Sequence, residues 1–367
     1  METDFKSRLN RLTEISGVDA VAILPGASLE YFTGLHLHLS ERPIILLATP
    51  DGNLSIIIPE LEVPQLQARP DLEIRPFAWN DVDGYQGAFA AALNELGLKG
   101  GTLGVDGMTM RVTEWLAFNQ LDPTLKVQPV ERELIHIRSR KLPDEVEAMR
   151  QAIRLSETAL DKALRQVKSG MTEREIARLL SDELSAAGSE GNAFGPLVQT
   201  GPNSALPHGG LTDRALTEND FLLIDYGGTF HGYPADITRT FCLGRPTTEM
   251  QKIYDTVLQA NQAAIAATGP GVPMEAVDKA ARDVIDTAGY GVYFIHRTGH
   301  GLGLDVHEPI PQIASGVKDL LEPGMTFTIE PGIYVPGLGG VRIEDNVVVT
   351  DTGVEVLTNF PRKLVIS

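Results

Sequence analysis

The stretch IEPGIYVPGLGGVRIEDNVVV, residues 329–349, decides how this chain is read. It predicts two strands joined by the Gly/Pro-rich turn VPGLGG, centred on Gly337, with Glu330 and Glu344 inside apolar runs that belong in a core. A buried carboxylate without a partner costs several kcal/mol or stays protonated. Residues placed symmetrically about a hairpin turn face each other across an antiparallel ladder. The two glutamates therefore repel unless something positive lies between them.

A second acidic hairpin lies upstream, in FLLIDYGGTFHGYPADITRTFCLG, residues 221–244. Here Asp225 and Asp236 are expected to face each other about a turn at Phe230–His231. Each acidic hairpin follows two helical patterns. Before the first come a helix opening at Pro143, with apolar Val146, Met149, Ile153, Leu160, Leu164 and Val167 at helical spacing, and a helix capped by the pair Thr172 and Glu175 that stops before Gly188. Before the second come QKIYDTVLQANQAAIAA, opened by a capping box at Thr248 and Gln251, and PMEAVDKAARDVIDTAG. The order helix, helix, acidic hairpin thus occurs twice, with negligible sequence identity between the halves.

If the halves stack face to face, four carboxylates converge. Their charge of −4 matches two divalent cations. With a histidine added, such an oxygen-rich site suits Mn²⁺, Co²⁺, Fe²⁺ or Zn²⁺. The candidate is His300 in RTGHGLGLDVHE, where flanking glycines allow close backbone approach. Taken singly, each feature has an ordinary explanation: an aspartate before glycine is a turn residue, Glu-Pro-Gly is a turn, and a histidine among glycines is a surface or satisfied core residue. Two acid-bearing hairpins together with the histidine loop favour metal binding.

The rest of the chain bounds this reading. At 367 residues two domains are expected. The first third alternates apolar runs (VDAVAILPG, RPIILLATPDGNLSIIIP, GTLGVDG) with helical patterns such as VDGYQGAFAAALNELGLKGG. This predicts an α/β domain over 1–135, a linker over 136–142 and a second domain over 143–367. Acidic side chains outnumber basic ones, 49 to 31, for a formal charge of −18, which argues against nucleic-acid and anionic-membrane partners. The single cysteine, Cys242, cannot form an intramolecular disulfide. The opening METDFKSRLNRLTEISG alternates charge on a helical period, and no apolar run reaches membrane-spanning length. A cytoplasmic protein is expected.

The motifs IDYGGTFHGYPADITRTF, HGLGLDVHEP, TIEPGIY and GGVRIED resemble those of the Xaa-Pro peptidases, prolidase and aminopeptidase P. The resemblance covers most of the second domain, and the first third matches the family's N-terminal domain in length and pattern. It implies an N-terminal creatinase/prolidase-like α/β domain and a C-terminal pita-bread catalytic domain with a pseudo-twofold helix-helix-hairpin repeat. By motif, Asp225 would bind one metal, Asp236 and Glu344 would bridge both, and His300 and Glu330 would complete the second, with Mn²⁺ the first choice.

The same resemblance implies hydrolysis of the bond before proline in dipeptides or short peptides. Glu330 would act as general base, His307 would stabilise the oxyanion, and His208 would assist the departing proline nitrogen. His296 and Arg342 would lie close by, Arg342 being the candidate for a dipeptide's carboxylate. His36, His38 or Arg42, in YFTGLHLHLSERP, would cap the pocket, in relatives often that of the other subunit of a homodimer. Hydrolysis of a non-peptide metabolite amide on the same scaffold is left open. A silent binding protein is disfavoured by the intact set of five ligands.

Overall fold

The computed structural model describes residues 5–366, and their contacts divide the chain into two units, Met1–Arg138 and Ser139–Ser367. The first four residues of the charged opening stretch lie outside the described part; Phe5–Asn10 is helical. No helix among the described residues is long and apolar enough to cross a membrane.

The first unit is built on six strands: β1 (Ala20–Ile23), β2 (Ile45–Ala48), β3 (Leu54–Pro59), β4 (Arg75–Trp79), β5 (Thr102–Val105) and β6 (Lys126–Pro129). Their spatial order is β4-β3-β2-β1-β5-β6. The central β1, β2 and β3 pair antiparallel, and the flanking pairs are parallel. Parallel pairs need crossovers, which the helices Val63–Gln67 and Val112–Leu121 supply for β3/β4 and β5/β6. Every residue of β1 and β2 is buried, which is why these strands read as unbroken apolar runs rather than alternating ones. Residues 136–139 complete the helix Glu131–Ser139, so that part of the expected linker is helical.

The second unit shows the doubled order. Helices Pro143–Leu164 and Glu173–Ala187 precede β7 (Leu197–Thr200), β8 (Phe221–Tyr226), β9 (Thr229–Phe230), β10 (Tyr233–Pro234) and β11 (Ile237–Leu243). Helices Thr248–Ala267 and Met274–Thr287 precede β12 (Gly299–Gly301), β13 (Glu308–Ile313), β14 (Thr326–Ile329), β15 (Gly332–Val335), β16 (Gly339–Arg342), β17 (Asp345–Val349) and β18 (Val354–Val356). The last strand, β19 (Val365–Ile366), returns to the first half, giving sheets β19-β11-β8-β7 and β13-β12-β14-β17-β18.

Local signals act as chemistry dictates. Pro143 opens its helix, where its missing N–H costs nothing. Thr172 Oγ1 accepts from the Glu175 amide while the Glu175 carboxylate accepts from the Thr172 amide, and Gly188 ends that helix at φ 91°. The second expected box is corrected by one residue. Thr247 is the cap, accepting from Met250 N, so Gln251 sits one position too far along to answer it.

The hairpin registers decide where the acids go. In the second, Ile329 faces Asp345 and Gly332 faces Arg342, so Glu330 and Glu344 stand opposite each other in the gap between the two ladders, as expected. In the first, Asp225 faces Thr238 instead of Asp236. Phe230 pairs with Tyr233, so His231 and Gly232 form the turn, at φ 49° and 76°. A two-residue turn of this twist requires positive φ at both positions. The expected turn centre was one residue too early, and the two aspartates are diagonal neighbours on one face.

Candidate metal centre

Asp225 is the penultimate residue of β8, Asp236 immediately precedes β11, and His300 is the middle residue of β12. Glu330 follows β14 and Glu344 precedes β17. All five line one cavity of about 640 Å³, together with His208, His296, His307 and Arg342. The glycines beside His300 are sterically required: a Cβ on Gly299 would overlap the Thr328 carbonyl, and one on Gly301 would come within 2.5 Å of the Ile310 carbonyl.

Three sets of potential donors form here: Asp225, Asp236 and Glu344; His300, Glu330 and Glu344; and Asp236, His300 and His307. Within each set the donor atoms lie within 4.8 Å of one another. The residues fit cations on chemical grounds. His300 Nδ1 lies 3.0 Å from the Gly301 carbonyl, which can only accept, so Nδ1 carries the proton and Nε2 presents a lone pair. That lone pair points at carboxylate oxygens, 3.3 Å from Glu330 Oε1 and 3.5 Å from Asp236 Oδ2. Burial and the neighbouring His307 hold the imidazole down to about 3, so the ring does not neutralise the acids itself. Asp225 Oδ1 is buried with no partner among the described residues.

The acids respond accordingly. Burial, then repulsion from Asp225 and Glu330, pushes Asp236 well above the ordinary carboxylate range. Burial, then Asp236 and its neighbours, does the same to Glu344. Burial raises Glu330 to about 7, with Arg342 opposing and Asp225 adding to the rise.

Arg342 is the cation buried against this cluster, and all three of its side-chain nitrogens are engaged. Nη2 donates to Asp225 Oδ2 at 2.5 Å, Nη1 to the Tyr334 hydroxyl at 2.9 Å, and Nε to Thr238 Oγ1 at 3.0 Å. Thr238 in turn donates to Glu344 Oε2 at 2.6 Å. Arg342, with Arg297 farther off in the lining, is outnumbered by four carboxylates in a poorly solvated place, an imbalance that divalent cations would offset.

The histidines divide by exposure. His296 is held by its own chain: Nδ1 faces the Arg297 carbonyl at 2.7 Å and Nε2 the Tyr334 hydroxyl at 2.9 Å, and burial lowers it to about 4. His307 is exposed, its ring centroid 4.1 Å from that of His300. The next residue, Glu308, is buried against Lys141 Nζ at 2.7 Å, both side chains 1% exposed, which anchors the loop that carries His307. His208 is exposed on a loop of its own.

The three N-terminal candidates belong to the first unit. His36 Nδ1 lies 3.4 Å from Glu30, His38 is exposed, and Arg42 binds Asp81 through Nε at 3.0 Å and Nη2 at 2.8 Å.

Residues that the sequence did not single out complete the cavity. Phe194, Leu197 and Val306 give it an apolar wall, and Arg297 lines it as well. The Arg297 side chain is partly buried and makes no hydrogen bond or ion pair among the described residues. Its place next to His296 was the available signal.

Comparison with known proteins gives a consistent picture. The model of metallopeptidase family M24 matches residues 147–351, and that of the creatinase/prolidase N-terminal domain matches residues 6–140. An uncharacterized peptidase of Staphylococcus aureus (strain MSSA476) is 36% identical over 94% of this chain and 95% of its own. Among solved structures, a prolidase from Thermococcus sibiricus superposes with a TM-score of 0.92 at 34% identity, covering 100% of both chains. A dipeptidase from Pyrococcus horikoshii OT3 gives 0.92 at 38%, covering 99% of this chain and 100% of its own. An X-Pro aminopeptidase from Thermotoga maritima MSB8 gives 0.86 at 33%, covering 97% and 100%.

Proposed function

The chain belongs to metallopeptidase family M24, and from that premise we propose that it hydrolyses the bond before proline in Xaa-Pro dipeptides, using two divalent cations, Mn²⁺ first among them. The observation that carries this reading is the donor set in which Asp236, His300 and Glu344 each serve two overlapping groups. Asp225, Asp236 and Glu344 would hold one cation, and Glu330 and His300 would complete the other with the shared acids. Bound there, the cations would supply Lewis acidity, lowering the pKa of a water and polarising the scissile carbonyl.

The remaining work falls to side chains. Glu330, which accepts from Thr328 Oγ1 at 3.1 Å, takes the proton of the attacking water. His307 donates to the oxyanion that develops on the carbonyl. His208 faces the departing nitrogen, which must gain a proton to leave as an amine. The proline amide has no N–H to recognise, so the ring is selected by shape against Phe194, Leu197 and Val306.

A dipeptide also brings a terminal carboxylate. Each nitrogen of Arg342 already donates once, to Asp225, Tyr334 or Thr238, which leaves it one N–H on each of Nη1 and Nη2. Arg297, whose guanidinium has no hydrogen-bond or ion-pair partner among the described residues, is the better-placed candidate for the carboxylate. A homodimer in the cytoplasm, where the buried single thiol of Cys242 stays reduced, belongs to the same proposal.

The test is product analysis on Ala-Pro and Ala-Pro-Pro after chelation and after Mn²⁺ return. Chelation should abolish turnover and Mn²⁺ restore it, with Ala-Pro preferred. A metal-replete protein inert toward both peptides would overturn the reading, and turnover of an acylated amino acid instead would move it to non-peptide amides.

A further inference from the structure

Gln199 has no chemistry to contribute to hydrolysis, yet it is 1% exposed and turned toward the catalytic side of its sheet. On β7, Leu197 faces Asp225 and Gln199 faces Leu223. Alternate residues share a face, so Gln199 lies on the same side as the cavity-lining Leu197. Its Nε2 donates to the Leu206 carbonyl at 2.8 Å, and its Oε1 is buried with no partner among the described residues. The amide's one bond goes to this loop.

The same Leu206 carbonyl accepts from Gly209 N at 3.1 Å. That bond closes a four-residue turn with Pro207 at its second position and His208 at its third. Pro207, His208 and Gly209 all line the cavity. The turn's outer side packs on little: Leu206 is 59% exposed, and His208 and Gly210 are exposed too. Upstream the loop is tied by Ser204, whose Oγ accepts from Gly340 N at 2.8 Å. Downstream it is tied by Thr212, which bonds Glu173 through its amide and hydroxyl. Between these ties, Gln199 makes the one side-chain hydrogen bond to the loop among the described residues. Gly209 is fitted to it, since a Cβ there would overlap Gln199 Nε2.

We infer that Gln199 is a positioning residue for His208: its amide clamps the turn from beneath, fixing where the imidazole meets the departing nitrogen. This rests on the proposed role of His208. A hydrogen-bonded anchor of this kind sets the geometry of a group that acts only over hydrogen-bond distance.

The test is Gln199→Met, which keeps the length and apolar packing of the side chain and removes the donor, assayed on Ala-Pro in the Mn²⁺-loaded full chain. The kcat should fall about tenfold, a fraction of what a proton-transferring group contributes, with KM within about twofold and metal content unchanged. In a His208→Ala background the same change should have no further effect. Gly209→Ala, which pushes the amide away from the other side, should reproduce the loss and serves if Gln199→Met fails to fold. An unchanged kcat, or an equal further loss in the His208→Ala background, overturns the inference. If the wild type cleaves no Xaa-Pro peptide, it is the functional reading that fails. The ¹⁵N imidazole signal of His208 then still tests the clamp: a shift in Gln199→Met supports it, and an unmoved signal ends it.

Discussion

The two acidic hairpins reach one centre by different registers. Glu330 and Glu344 stand directly opposite about a glycine turn, whereas Asp225 and Asp236 are offset diagonally about His231–Gly232. The offset of the aspartates follows from the place of the turn, His231–Gly232, one residue beyond the midpoint between them. Both aspartates are pinned by the other hairpin. Asp236 N donates to Asn346 Oδ1 at 3.2 Å and its carbonyl accepts from Asn346 Nδ2 at 2.5 Å. Asp225 receives Arg342. In return Glu344 receives Thr238 through its side chain and Arg239 through its carbonyl. Three of the four acids are thus held by the other hairpin, Glu330 alone being tied within its own half through Thr328, so the site is a property of both halves together.

The largest effect that would break this symmetry is Asp236→Ala. Removing an acid common to two donor sets should cut bound metal from two ions per chain to one or fewer. Losing several kcal/mol of charge stabilisation should lower kcat by about 10³-fold. Elemental analysis showing two tightly held ions in this variant would refute the shared role.

His307 stands outside the exchange between hairpins. Its replacement by alanine should lower kcat by about 10²-fold, the cost of one oxyanion donor, while metal content stays at two. An undiminished rate would remove it from the chemistry.

Arg297→Ala sharpens the contrast between the committed Arg342 and the unpaired arginine. KM for Ala-Pro should rise about 10-fold or more, as for a lost charge-assisted hydrogen bond. KM for the amide of Ala-Pro, which has no carboxylate, should hardly move. Equal effects on both substrates would return the carboxylate to another residue.

The smallest effect concerns the metal-free protein. Glu330 is raised to about 7 in the fold, from an ordinary value of 4.5, so the folded state holds its proton longer than the unfolded chain does. This contribution to stability is fully present below about pH 4.5 and is lost as pH rises through about 7. Metal-free protein should therefore show a Tm that falls by a few degrees between pH 5 and pH 8, and Glu330→Gln should show a smaller fall. Calorimetry finding the same slope in both would contradict the burial-raised proton affinity of this acid.

The glutamate hairpin was legible because its turn is marked by Gly337 and its strands by unbroken apolar runs, so simple symmetry placed both acids. The aspartate hairpin misled by one residue because its turn needs positive φ at two positions and the second of them is filled by Gly232, one place beyond the centre of symmetry. The cap at Thr247 was missed because adjacent threonines offer the same hydroxyl. Tyr334 and Gln199 were not legible at all, and Arg297 only through its place beside His296. Their significance lies in partners that lie elsewhere in the chain, or in the want of one.

By itself the sequence determined the kinds of element, their doubled order, and a set of acids and one histidine too costly to bury without a counter-charge. Those follow from local rules: periodicity, turn chemistry and the expense of desolvating a carboxylate. Only the tertiary structure decided which charges are already paired. Asp225 meets Arg342 across 117 positions and Thr238 meets Glu344 across 106, contacts that no local pattern encodes because they exist only once two sheets pack together.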